Sequence, residues 1–138
     1  MQGVGINYLS IFLAALASFI LGGLWYSPVL FGNLWIKLSK ISKAEIAKAK
    51  KKGMKASYFT TFISLLITAF VLSLFINLAG AATIADALEV AFWLWLGFIA
   101  TTTLNSVLWE GKPFKLYLLN NAHNLVSLFI MAAIIGLW

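Results

Sequence analysis

The chain has 138 residues, 62% of them hydrophobic and only 10% charged, with a net charge of +6 and no cysteine. A soluble domain is about half apolar and roughly a quarter charged, and one this small leaves much of its area exposed, so the composition excludes an ordinary water-soluble fold. A single compact unit with lipid as its surroundings is expected, and disulfides and thiolate metal sites are excluded outright.

No charged side chain precedes Lys37. The first apolar segment, residues 6–26, matches the about 20 helical residues that cross a hydrocarbon core of ~30 Å. Ala15-Leu16-Ala17 resembles a signal-peptide cleavage motif, but no base precedes the apolar run and the run continues past the motif. A retained span is therefore expected. Ala14, Ser18 and Gly22 recur at every fourth position and let another helix approach closely, either within the chain or between subunits. Pro28 predicts an end or a kink of this helix. Trp25, Tyr26 and Trp35 flank its inner end, where amphipathic rings prefer the membrane interface.

Residues 33–55 form a loop, and eight of the ten lysines fall between residues 37 and 55. Ser42 and Glu45 have the spacing of a capping box. The Ala and Lys that follow favour a short amphipathic helix ending at Gly53. Ile41 and Ile46 are its only large apolar residues, so it would lie on the membrane shallowly. Lys48, Lys50, Lys51 and Lys52 then face anionic headgroups, as a specific lipid site or as an ordinary topology-setting loop.

Further spans are expected at residues 57–78, 89–109 and 115–137. The loop before the third carries Asp86 and Glu89 and no base. Trp109 closes the third span, and Trp138 closes the fourth at the opposite face. Glu110 precedes the fourth span, where the positive helix end, Lys112 and Lys115 favour a carboxylate. Pro113 suits that helix's first turn. Four spans put both termini on one side and all ten lysines on the other. Lysine bias in short loops marks the cytoplasmic face, so both termini should lie outside an inner membrane. The expected fold is all-α: a four-transmembrane-helix bundle with one cytoplasmic amphipathic helix between the first and second spans.

The third and fourth spans hold the unusual residues. Thr103, Ser106 and Glu110 stand at i, i+3 and i+7 and share a helical face. Asn120, His123, Asn124 and Ser127 share another, with Asn121 beside them. The short turn around Gly111 and Pro113 makes the two spans antiparallel neighbours, with Thr103 level with Asn120 and Asn121. His123 lies ~12 Å past Lys115 at helical rise, a depth where amides and an imidazole need partners or water. One reading is a polar lining for an ion or solute, with His123 able to change protonation. The other is hydrogen bonding that holds helices together, at about 0.6 kcal/mol per bond.

Chemistry beyond this is poorly supplied. One His and four scattered acids make a poor metal site. No buried acid is placed to orient His123 for a hydrolase triad with Ser127. Haem would need a second axial ligand, and neither GxGxxG nor a P-loop is present. No cofactor, no enzymatic activity and no nucleic-acid partner are expected; anionic lipid is the nearer partner of the lysines.

Gly22-Gly23-Leu24-Trp25-Tyr26-Ser27-Pro28, with Phe31-Gly32 and Trp35, form one recognisable stretch. Leu108-Trp109-Glu110, Pro113-Phe114-Lys115 and Asn120-Asn121 form another. Together they resemble the domain-of-unknown-function family 1761 over nearly the whole chain. The resemblance implies a membrane location and four helices, and no activity. Two functions are carried forward: a small oligomeric transport or channel-like protein, and a structural or accessory membrane protein. A homo-oligomer is expected because four helices alone leave little room for a solute path.

Overall fold

The computed structural model describes residues 6–137, so the expected anchor Trp138 lies outside the described residues. Six helices follow in chain order: α1 Tyr8–Trp25, α2 Gly32–Ser39, α3 Lys43–Lys52, α4 Lys55–Leu78, α5 Ile84–Leu108 and α6 Phe114–Leu137. Among them α1, α4, α5 and α6 are long and apolar enough to cross a bilayer. Large apolar side chains cover their outer faces, with Ile20 54%, Ile67 60% and Phe98 70% exposed. Exposed apolar area on this scale is a liability in water and costs nothing in hydrocarbon.

The helix ends follow local chemistry. The side-chain oxygen of Asn7 accepts the Ser10 N–H at 3.1 Å and starts α1. Thr83 Oγ1 accepts from the Asp86 N–H at 3.1 Å, and the Asp86 carboxylate accepts from the Ala82 N–H at 3.2 Å. This cap starts α5 at Ile84, five residues earlier than the apolar pattern suggests, and puts Asp86 and Glu89 in the helix instead of the loop. Ser42 Oγ accepts from the Glu45 N–H at 3.1 Å and starts α3, which stops at Gly53.

The lysine loop holds a second helix, α2, that the sequence pattern alone does not suggest. After Trp25 the chain reverses tightly: Phe31 N–H donates to Trp25 O at 2.9 Å and Gly32 N–H to Ser27 O at 2.8 Å. A Cβ at residue 32 would lie 2.5 Å from Tyr26 O and 2.6 Å from the Ser27 carbonyl carbon, so only glycine fits. The reversal lets α2 fold back against α6.

α6 is the central element. It packs chiefly on α1 and α5 and also touches α4, while α1 packs on α4. Its buried residues include Leu119, Asn121, Ser127, Leu128, Met131 and Ala132. Around it, Ala14, Ala69, Ala87, Ala91 and Ala132 are fully buried. Small side chains at these positions bring backbones close, which matters where lipid removes the hydrophobic drive between helices.

α5 carries a wide turn, a π-helical stretch over Trp95–Ala100. In an uninterrupted α-helix, Trp95 and Thr103 would point about 80° apart. One extra residue in the turn reduces that to about 20° and brings both onto the face against α6.

Candidate functional site

The polar residues of α6 divide between two neighbours instead of all facing α5. On one side, Asn121 is buried and its amide nitrogen donates to Thr103 Oγ1 at 3.0 Å and to Tyr117 O at 3.1 Å. The Thr103 hydroxyl donates onward to Ile99 O at 2.6 Å. Trp95 Nε1 donates to Asn121 O at 3.1 Å, and the Tyr117 hydroxyl to Ala100 O at 2.6 Å. This α5–α6 seam is closed by its own hydrogen bonds.

On the other side, Asn120, His123 and Ser127 face α1. The hydroxyls of Ser18 and Ser127 are hydrogen-bonded to each other. The Tyr26 hydroxyl donates to Asn120 Oδ1 at 2.8 Å. The His123 ring lies between two aromatic rings, with centroids 5.1 Å from Tyr26 and 5.8 Å from Trp25. Phe31 packs on Trp25 at 4.7 Å, and Trp35 on Tyr26 at 5.8 Å. Across from the imidazole, a Cβ on Gly22 would come to 3.5 Å from Nε2. The small stripe of α1 thus packs inside the chain, where Ser18 meets Ser127 and Gly22 meets His123, while Ala14 is fully buried.

Two polar atoms at this corner are buried and have no hydrogen-bond partner among the described residues: Trp25 Nε1 and His123 Nε2. Buried polar groups normally have partners, and an unpartnered one costs about 1–3 kcal/mol. Both orphans belong to residues in mutual ring contact.

Asn124 neighbours His123, and the other residues singled out in the sequence lie apart from this corner. Ser106 is half-buried, but α5 breaks at Leu104 and ends at Leu108, so Thr103, Ser106 and Glu110 do not form one helical face. Glu110 is exposed in the turn, and Trp109 is 83% exposed beside it. Asn124 is half-buried on α6. Lys48, Lys50, Lys51 and Lys52 are exposed on α3. Among the described residues, no group of three or more His, Cys, Asp or Glu side chains is placed to hold a metal ion.

Trp25 and Tyr26 also belong to this corner. Their rings turn inward onto His123, because the Ser27-to-Gly32 reversal folds Phe31 and Trp35 back over them. Counting from the lysine side would have set them level with Asn120 and His123, the one sequence signal for their place in the site. Two cavities elsewhere, about 370 Å³ near Asp86 and Glu89 and about 430 Å³ between Ile67, Phe75 and Phe98, are lined by none of the polar α6 residues.

No curated protein and no solved structure matches the chain. A family model described as a protein of unknown function, DUF1761, matches residues 9–136. That match covers the motif residues that build the Ser27-to-Gly32 reversal and the polar α6 face, and the chain belongs to the DUF1761 family.

Proposed function

We propose that this protein is a small transport-type membrane protein that binds a polar solute at the α1–α6 corner, with His123 as the recognising group. The supporting observation is that His123 Nε2 is buried without a partner, although the neighbouring Asn120, Asn121 and Ser127 all have one. A permanently orphaned nitrogen is a cost, and a ligand that meets it recovers that cost. The protein works as a homo-oligomer in an inner membrane and catalyses no reaction.

The test uses the purified full chain in detergent against a panel of small carboxylates, alcohols, amides and monovalent salts. A ligand at 100 times its Kd stabilises a folded protein by about 2.7 kcal/mol. At least one compound should raise the melting temperature of the natural chain and leave His123→Leu unmoved. A panel without any response defeats the reading.

The second reading is an accessory membrane protein whose polar residues only hold helices together. The Ser18–Ser127, Tyr26–Asn120 and Asn121–Thr103 pairs favour it. It requires that His123→Leu change stability alone and that a partner protein co-purify.

Orientation belongs to the same proposal. Both termini lie outside, and the lysine loop lies in the cytoplasm with Lys48, Lys50, Lys51 and Lys52 on anionic headgroups, because lysine bias marks that face. The chain lacks cysteine, so Lys48→Cys and Lys112→Cys can be labelled singly with an impermeant maleimide. Both should react only in inside-out vesicles.

A further inference from the structure

The solute reading leaves the ligand's chemistry open, and the donors at the corner narrow it. Trp25 Nε1 can only donate, and among the described residues nothing accepts from it. Asn120 Oδ1 takes the Tyr26 hydroxyl, and the amide keeps its two N–H donors and one lone pair. His123 Nε2 donates or accepts according to the tautomer. The acids that might have served these donors are elsewhere: Glu45, Asp86, Glu89 and Glu110 are all exposed. Gly22 faces Nε2 at close range: a Cβ there would stand 3.5 Å from it, in van der Waals contact. The Trp25 N–H and the Asn120 N–H pair tilt the free hydrogen-bonding capacity of the corner toward donors.

We infer that the corner binds the carboxyl group of a monocarboxylic acid, taken up together with one proton. This rests on the solute-binding reading and specifies its ligand. A carboxylate beside an imidazolium and a carboxylic acid beside a neutral imidazole contain the same atoms and the same total charge. In either form one oxygen meets Nε2 through a shared proton, and the lone pairs of the carboxyl group accept from Trp25 and Asn120. The assembly is neutral in both forms, which low-dielectric surroundings favour over a lone ion. A halide brings charge without a second oxygen. A primary amide brings more donors to a site that has a surplus, and an alcohol offers a single oxygen.

The experiment titrates the full chain in detergent with acetate, acetamide, ethanol and chloride at constant ionic strength, following tryptophan fluorescence and melting temperature. Laurate is a further arm, presenting the same group from the lipid phase. Acetate or laurate should saturate and bind at least tenfold tighter than acetamide, ethanol or chloride. The tighter of the two identifies the source as free solute or lipid-borne acid. Gly22→Ala sets a methyl against Nε2, and Trp25→Phe removes the N–H while keeping an aromatic ring. Each should weaken binding at least tenfold. Gly22→Ala has only ordinary contacts to make and serves if Trp25→Phe fails to fold. Equal binding of acetate and acetamide, or unchanged affinity in Gly22→Ala, overturns the carboxyl assignment. A response to acetamide or ethanol that His123→Leu abolishes, without any response to carboxylates, overturns this assignment and leaves the solute site standing. Silence in every arm overturns both.

Discussion

The two seams along α6 use similar residues and reach opposite states. Against α5, the buried Asn121 amide, the Thr103 hydroxyl, the Trp95 indole and the Tyr117 hydroxyl all find partners. Against α1, the serine pair and the Tyr26–Asn120 bond are made, yet Trp25 and His123 each keep a buried polar atom unpaired. The difference lies in which groups can complete each other. On the α5 seam even the donor-only Trp95 indole reaches a backbone carbonyl, Asn121 O, so that seam closes on itself. An indole only donates, and among the described residues no acceptor pairs with that of Trp25. The first seam pairs its polar side chains, and the second leaves two buried polar atoms unpaired among the described residues.

The sharpest way to break this contrast is Gly32→Ala. A Cβ 2.5 Å from a backbone oxygen has to move the reversal that folds Phe31 and Trp35 over the corner. A loss of about 3 kcal/mol is expected, read by unfolding in a denaturing detergent and accompanied by loss of the corner's ligand response. Next comes the closed seam. Asn121→Ala removes donors to Thr103 and Tyr117 and should lower stability by about 1–2 kcal/mol, with any ligand response at His123 retained. On the open side the sign reverses. His123→Leu deletes an orphaned nitrogen, so the unliganded protein should unfold at the same point or up to about 1 kcal/mol higher. A marked destabilisation there would mean that the imidazole is cohesive after all, and would erase the contrast. The smallest change belongs to the cohesive part of the α1 seam: Ser18→Ala should cost about 0.6 kcal/mol by the same assay.

The apolar stretches that form the long helices α1, α4 and α6 were legible in the sequence, because absence of charge over about 20 residues is a local property. The α3 helix was legible for the same kind of reason, through Ser42, Glu45 and Gly53. The start of α5 was not, since Thr83 and Asp86 build a cap inside what reads as an acidic loop. The polar α6 face was visible at helical spacing, while its division between two neighbours was not. The wide turn at Trp95–Ala100 re-phases α5, so residues that periodicity sets about 80° apart meet the same partner.

The amino-acid sequence by itself determined that this chain carries four stretches long and apolar enough to cross a bilayer, and that amides and an imidazole occur within them. Charge and apolar length act residue by residue and need no knowledge of neighbours. Only the tertiary structure decided which helix those polar groups face, that Trp25 and Tyr26 turn inward, and that one seam closes while the other does not. Hydrogen bonding in a membrane interior is a matter of pairing, and pairing depends on which faces meet.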